Sequence, residues 1–224
     1  MAYGLKVKNN NLEIQIDGTY VNYVYNGQSG SKTINGFDTV NLTVASKYPP
    51  IALIRPTGND DRACGVFDYV YSAPNYTGIR FFGGQKAIGN DTCSFDYKIY
   101  TVTEEVNLDT HGLRIRSDEG RLIYDSSKAP FKILEVGTAT MESTYTHASY
   151  TSPYYIFSPW LSGILGFASL PFQGLTCRLV AGLSKQSTTS VQGIWIIVDV
   201  LGASNMNFTD YQGTTFTLII CEPN

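Results

Sequence analysis

The chain has two histidines, and they are the candidate bases for any serine or cysteine nucleophile. His111 directly precedes a repeated segment described below, which predicts a turn, and His147 lies in a polar and aromatic stretch with no spaced partner. Neither belongs to a metalloprotease, esterase, phosphate-loop or zinc-binding pattern. We therefore predict no enzyme, and we assign no catalytic, cofactor-binding or metal-binding residue.

Three adjacent acidic pairs could in principle supply the carboxylates of a glycosidase: Asp60–Asp61, Glu104–Glu105 and Asp118–Glu119. Neighbours on a strand point to opposite faces, and neighbours in a turn are usually solvated. The pairs are therefore interpreted as polar turns. A glycosidase built from carboxylates that are distant in sequence stays open as the least favoured alternative.

One segment, residues 138–160, is unusually aromatic and alternates its rings with serine and threonine. Tyrosine and tryptophan combine a flat apolar face with a polar tip, which suits contact with sugars or proteins. The candidate contact residues are Tyr145, Tyr150, Tyr154, Tyr155 and Trp160. The alternative is that some of these rings fill a core and the others decorate a loop.

Composition and charge exclude several classes of partner. The chain has 16 Tyr and 21 Gly but only 16% charged residues, a composition that favours strands and tight turns. Its net charge of −3 leaves no basic excess for phosphate groups, so neither nucleic acid nor an anionic membrane is an expected partner. The four cysteines have no C-x-x-C spacing and are expected to be buried, reduced thiols: Cys64, Cys93, Cys177 and Cys221.

A duplication is visible in the sequence. The opening Gly4–Lys8 reappears as Gly112–Arg116, and over residues 4–17 seven of fourteen positions are identical or conservatively replaced at an offset of 108. In both copies apolar residues alternate with cations, the period of two expected of a strand with one buried face. Each copy is predicted to open as strand, turn, strand, with turns at Asn9–Asn11 and Ser117–Gly120.

Further short apolar and aromatic runs, bounded by Gly, Pro, Asn or Ser, predict the remaining strands. The two copies end alike in Ser94–Thr101 and Thr215–Cys221, and Trp195–Val198 lacks alternation, which predicts a central strand covered on both faces. The other predicted strands are Val21–Tyr25, Val40–Ala45, Ile51–Arg55, Val66–Ser72, Ile79–Phe82, Phe131–Val136, Tyr154–Phe157, Cys177–Ala181 and Ile194–Val200.

No segment has a clean helical period. The predicted fold is all-β, with little helix and two tandem β-sandwich, jelly-roll-like domains, residues 1–107 and 108–224. Their boundary is expected within Glu104–Thr110.

Neither the N-terminal residues nor the middle of the chain predicts membrane targeting. Met1–Asn9 lacks the apolar core of a signal peptide, so synthesis in the cytoplasm is expected. The apolar stretch Tyr154–Leu170 is broken by Pro159, Gly163 and Gly166, so membrane insertion is not expected.

The repeated opening resembles that of small virion proteins of tailed bacteriophages, the minor tail and tail-tip proteins. The resemblance is carried by four segments: Tyr3–Val7, Tyr48–Pro56, Phe95–Tyr100 and the second opening, Gly112–Asp125. Phe216–Pro223 resembles the family's closing strand more weakly. These motifs are short and structural, cover about a third of the chain, and transfer no catalytic residue. Members of that family have one copy of the opening. Because this chain has two, the number of subunits in the family's assemblies does not carry over to it.

The resemblance implies a non-enzymatic structural component of a phage virion, made in the host cytoplasm and placed in the tail. It would act through symmetric contacts with other virion proteins and with itself, as a trimer or hexamer. Two alternatives stay open: a module that recognises host-surface glycan, and a capsid decoration protein.

Overall fold

The computed structural model describes residues 6–8, 14–17, 22–58, 62–85, 92–102, 112–117, 119–128, 130–157, 165–170, 175–203 and 215–223. Within these ranges the chain forms β-strands and no helix, which confirms the predicted all-β fold. These ranges accordingly contain no helix that could cross a membrane.

The described residues of the first half form eight strands: β1 (Lys6–Lys8), β2 (Ile14–Asp17), β3 (Tyr23–Ile34), β4 (Gly36–Ser46), β5 (Ile51–Pro56), β6 (Arg62–Ser72), β7 (Asn75–Gln85) and β8 (Cys93–Val102). Strand β8 shows why these residues form strands. Cys93, Phe95 and Tyr97 are buried while the residues between them are partly exposed, so the period of two in the sequence separates core from surface.

In the part of the second half that the structure describes there are nine strands: β9 (Arg114–Arg116), β10 (Leu122–Asp125), β11 (Lys132–Thr140), β12 (Thr144–Thr146), β13 (Tyr154–Ile156), β14 (Leu165–Leu170), β15 (Leu175–Lys185), β16 (Ser190–Ala203) and β17 (Thr215–Glu222). Every strand predicted from sequence is present. The sequence did not predict β12 and β14.

Thirteen of these strands build two large antiparallel sheets. The six-stranded sheet has the order β11-β17-β13-β5-β8-β3, and the path of the other is β12-β16-β15-β6-β7-β4, with β14 as a seventh strand beside β15. In each sheet three consecutive strands come from each half, and the halves meet through the antiparallel pairs β5–β13 and β6–β15. If β14 is set aside and the remaining strands, β3–β8 and β11–β17, are matched in chain order, the strand order of each sheet is the same from either end. The halves are therefore related by an approximate twofold arrangement.

The two sheets pack face to face around a core that both halves share. Phe81 of β7 contacts Phe95 of β8 across the sheets, with ring centroids 5.3 Å apart. In the second half Phe157 meets Phe216 edge to face at 5.5 Å. These rings belong to one buried cluster that also contains Ile54, Leu183 and Leu218.

A second apolar layer covers the outer face of the six-stranded sheet. Leu53, Tyr100 and Tyr154 are buried there, and Phe131 packs edge to face on Tyr100 at 5.0 Å. Consecutive residues such as Leu53 and Ile54 are both buried because each face of this strand is covered.

Two small hairpins preserve the duplication in their hydrogen-bond register. In β1–β2 the pairs are Lys6–Asp17, Val7–Ile16 and Lys8–Ile14. In β9–β10 they are Arg114–Asp125, Ile115–Tyr124 and Arg116–Leu122, which is the same register moved by 108 positions, with the irregularity at the same place. The repeat predicted from sequence is thus also a repeat of structure.

The predicted boundary within 104–110 lies outside the described residues, as do the first turn, at 9–11, and His111. The second turn is present: the Gly120 N–H donates to the Ser117 carbonyl at 2.9 Å, and Gly120 has φ +81°, a conformation that favours glycine. The division into domains 1–107 and 108–224 stays a prediction. The halves share both sheets and one core.

Candidate functional site

The four candidate tyrosines that the structure describes fall into two groups. Tyr154 and Tyr155 are neighbours on β13 and point to opposite faces of the sheet. Tyr154 is in the outer apolar layer and Tyr155 in the core between the sheets, where both are buried. Tyr145 and Tyr150 are partly exposed and pack against that core. Trp160 lies outside the described residues.

A single carboxylate joins Tyr145 and Tyr150. Both hydroxyls donate to Glu135 of β11, with 3.1 Å between the Tyr150 hydroxyl and Oε2. The hydrogen bond from Tyr145 holds the pKa of Glu135 below its usual value, and the same bond raises the pKa of Tyr145 to about 12. The Tyr145 ring lies directly over Gly137, where a Cβ would collide with it. The sequence thus places a small residue beneath the ring and an acceptor at its tip.

His147 is buried and both of its ring nitrogens are satisfied. Nδ1 lies 2.7 Å from the Ala148 carbonyl, which can only accept, so Nδ1 carries the proton. Nε2 lies 3.0 Å from the Tyr155 hydroxyl, and the ring stacks on Tyr150 at 5.7 Å. His147 therefore positions Tyr155 through a hydrogen bond and Tyr150 through ring stacking.

A cleft of about 310 Å³ opens beside this cluster, between the sheets where the two halves join. The end of β5 contributes residues 55–57, and the second half contributes Tyr150, Tyr155 and the loop that precedes β13. Lys185 and the turn after β15, with Ser187 and Thr188, complete the wall. The cleft is thus built from both copies of the duplication.

The charged residues among the described lining residues are Arg55 and Lys185, and the Arg55 guanidinium is directed towards Tyr154 of the outer layer. The Arg55 guanidinium pairs with Asp96 on β8, at 2.5 Å between Nη2 and Oδ2, and lies 4.9 Å above the Tyr154 ring. Although partial burial of Asp96 opposes the shift, hydrogen bonds from Ser31 and Arg55 lower its pKa. Within the described part of the chain no carboxylate pairs with Lys185.

The turn that carries Ser187 and Thr188 is held by its own hydrogen bonds. The Gln186 and Ser187 N–H groups donate to the Ser190 carbonyl at 3.0 and 3.1 Å, and the Thr189 carbonyl accepts from the His147 N–H at 2.9 Å. The His147 loop and this turn are therefore fixed to each other. One wall of the cleft is preorganised.

Sequence reasoning missed Glu135, Arg55 and Lys185. Each is a charged residue within or at the end of a largely apolar strand, and that pattern was the available signal. Charges are rarely placed in such strands unless they are paired or serve a site.

Asp60–Asp61, Glu104–Glu105 and Asp118 lie outside the described residues. Among the residues that are described, no group of three His, Cys, Asp or Glu side chains is arranged to hold a metal ion. Comparison with family models, with curated proteins and with solved structures finds no match.

Proposed function

We propose that the protein is a non-catalytic structural component of a phage virion, in the tail, which acts by self-association and by contact with other virion proteins. The observation that carries the proposal is an apolar strand edge. Ile133 and Val136 of β11 are 54% and 60% exposed on the last strand of the six-stranded sheet. An edge strand of this kind is a template for pairing with another chain.

Several features of β11 favour a protein partner. Its inner side pairs with β17 along its whole length, from Lys132–Glu222 to Thr140–Thr215. Among the described strands none pairs with its outer side. Natural edge strands are usually protected by charge, proline or cover. β11 has Lys132 and a register irregularity between Ile133 and Glu135, yet Ile133 and Val136 remain exposed, so we expect these two side chains to be covered in an assembly.

The location in the tail rests on the resemblance of the two openings to small tail proteins, and the preserved register of the two hairpins supports reading them as one repeated unit. A subunit with two similar halves suits a junction between threefold and sixfold symmetry. We therefore propose a trimer or hexamer.

Native mass spectrometry of the purified chain, with labelling of the protein in particles, tests this function. A trimer or hexamer that is incorporated into tails is expected. Ile133→Lys combined with Val136→Lys should abolish assembly and leave the fold intact, whereas Leu113→Lys, at an equally exposed apolar residue outside the two large sheets, should not. A chain that stays monomeric and never enters particles contradicts the proposal.

A second role, host-glycan recognition, is favoured by one observation: Tyr150 and Tyr155 both line the cleft. Glycan-array binding tests it. Tyr150→Ala should abolish binding, because Tyr150 is partly exposed in the wall, and Tyr155→Ala is unsuitable because it removes a core ring. A folded wild-type chain that binds no glycan contradicts this role.

A further inference from the structure

We infer that the cleft between the two halves binds an acidic saccharide whose carboxylate pairs with Lys185. This inference rests on the glycan-binding role proposed above and names its ligand class. The cleft has three properties of such a site: an uncommitted cation, a partly exposed aromatic ring and a set of hydroxyls.

Charge favours an anionic ligand. The described residues that line the cleft include two cations and no carboxylate. Arg55 is neutralised by Asp96 through two donors on one oxygen, at 3.1 and 2.5 Å. The positive charge left over in the cleft is that of Lys185, which is half-buried and therefore less screened than a fully exposed lysine.

The remaining wall favours a sugar over a simple anion. The Tyr150 ring is held by its hydrogen bond to Glu135 and by the stacked His147, so its orientation does not have to be fixed on binding. Thr57, Ser152 and Thr188 add hydroxyls that can donate to or accept from a sugar. A volume of about 310 Å³ suits a short saccharide, since small-molecule sites range over roughly 300–1,000 Å³.

Phosphate fits the cleft less well than carboxylate. Phosphate sites usually combine a free arginine fork or a run of backbone N–H groups. Here the Arg55 fork is taken by Asp96, and the N–H groups of Gln186 and Ser187 already donate to the Ser190 carbonyl. A single ammonium with neutral hydroxyls matches one carboxylate.

Ligand-observed NMR on the full chain tests the inference with six probes. The acidic probes are the methyl glycosides of glucuronic, galacturonic and N-acetylneuraminic acid, and each is paired with a neutral probe in which the carboxylate is replaced by hydroxymethyl. At least one acidic probe should bind, and its neutral partner should bind roughly tenfold more weakly or worse, as expected for a lost charged hydrogen bond.

Three variants assign the binding to the cleft. Lys185→Met should weaken the acidic probe by roughly the same factor and leave the neutral probe unchanged. Tyr150→Ala should weaken both probes. Lys132→Met removes an equal charge from exposed β11 and should change neither.

Three results would overturn the inference. They are no binding of any acidic probe, equal binding to wild type and Lys185→Met, or full displacement of the acidic sugar by equimolar acetate or phosphate. Neutral probes that bind as tightly as their acidic partners, and that respond to Tyr150→Ala, would leave the glycan role standing and remove only the acidic ligand. Incorporation of Lys185→Met into particles, measured separately, reports on the virion role alone.

Discussion

The buried carboxylate of Asp125 at the end of the β9–β10 hairpin should make a measurable contribution to stability. Its Oδ1 accepts from the Ser127 hydroxyl at 2.6 Å and the Ser127 N–H at 2.9 Å, and its Oδ2 accepts from Arg114 Nε at 2.8 Å. Asp125→Asn keeps the shape of the side chain and removes its charge. The neutral amide would be buried at the same place and could not form the ion pair with Arg114.

The size of the effect follows from the pKa of Asp125. The hydrogen bond from Ser127 and the ion pair with Arg114 lower it from 3.8 to about 2. At 1.36 kcal/mol for each pKa unit the charged form stabilises the fold by about 2 kcal/mol. Because the folded pKa is below the unfolded one, this contribution is complete above pH 3.8 and is lost as the pH falls towards 2.

Urea unfolding of wild type and Asp125→Asn, followed from neutral pH to pH 2, measures this contribution directly. The wild type should be more stable by about 2 kcal/mol at neutral pH, and the difference should shrink through the acidic range because the asparagine does not titrate. Asp38→Asn is the control: its partner Lys32 and Asp38 itself are 30% and 40% exposed, and surface pairs contribute less than about 1 kcal/mol. Parallel pH profiles for wild type and Asp125→Asn would refute the reasoning.

Four further perturbations have defined outcomes. Glu135→Gln should bring the pKa of Tyr145 down from about 12 towards 10, seen by titrating tyrosinate absorbance, because the carboxylate that opposes ionisation is gone. Gly137→Ala should destabilise the fold by about 1–3 kcal/mol in thermal or urea unfolding, because its Cβ would overlap the Tyr145 ring. Leu53→Ala should cost about 2–5 kcal/mol in urea unfolding, because Leu53 is fully buried in the outer layer. Cys64 should resist thiol reagents in the native state and react on denaturation, because burial raises its pKa.

Local sequence patterns predicted most of the fold. The alternation of apolar and cationic residues located both hairpins, and the closing strands β8 and β17 occupy equivalent positions within the six-stranded sheet. Strand β12 was not predicted because Thr144–Thr146 is only three residues long, which is too short to show a repeating pattern of apolar residues. The joining of the halves through β5–β13 and β6–β15 also escaped prediction, because pairing between strands about a hundred residues apart has no local signature.

The candidate site was predicted only in part. Tyr145 and Tyr150 were singled out by composition, which cannot distinguish a core ring from a contact ring. The structure separates them from buried Tyr154 by the face on which each lies. Glu135 lies only 10 residues before Tyr145, but nothing local marks it as the acceptor of both hydroxyls. Lys185 lies beyond the aromatic segment and comes to the site through sheet order.

Two halves joined in one chain can differ in sequence, whereas two identical subunits cannot. A homodimer of single halves would have identical ends, whereas here the two ends of the six-stranded sheet have diverged. β3 presents the polar run Ser29–Thr33 at one end, and β11 exposes Ile133 at the other. Because the junction is intramolecular, dilution does not open it. The subunit thus has a direction, which permits head-to-tail closure of a ring that a strictly symmetric dimer could not form.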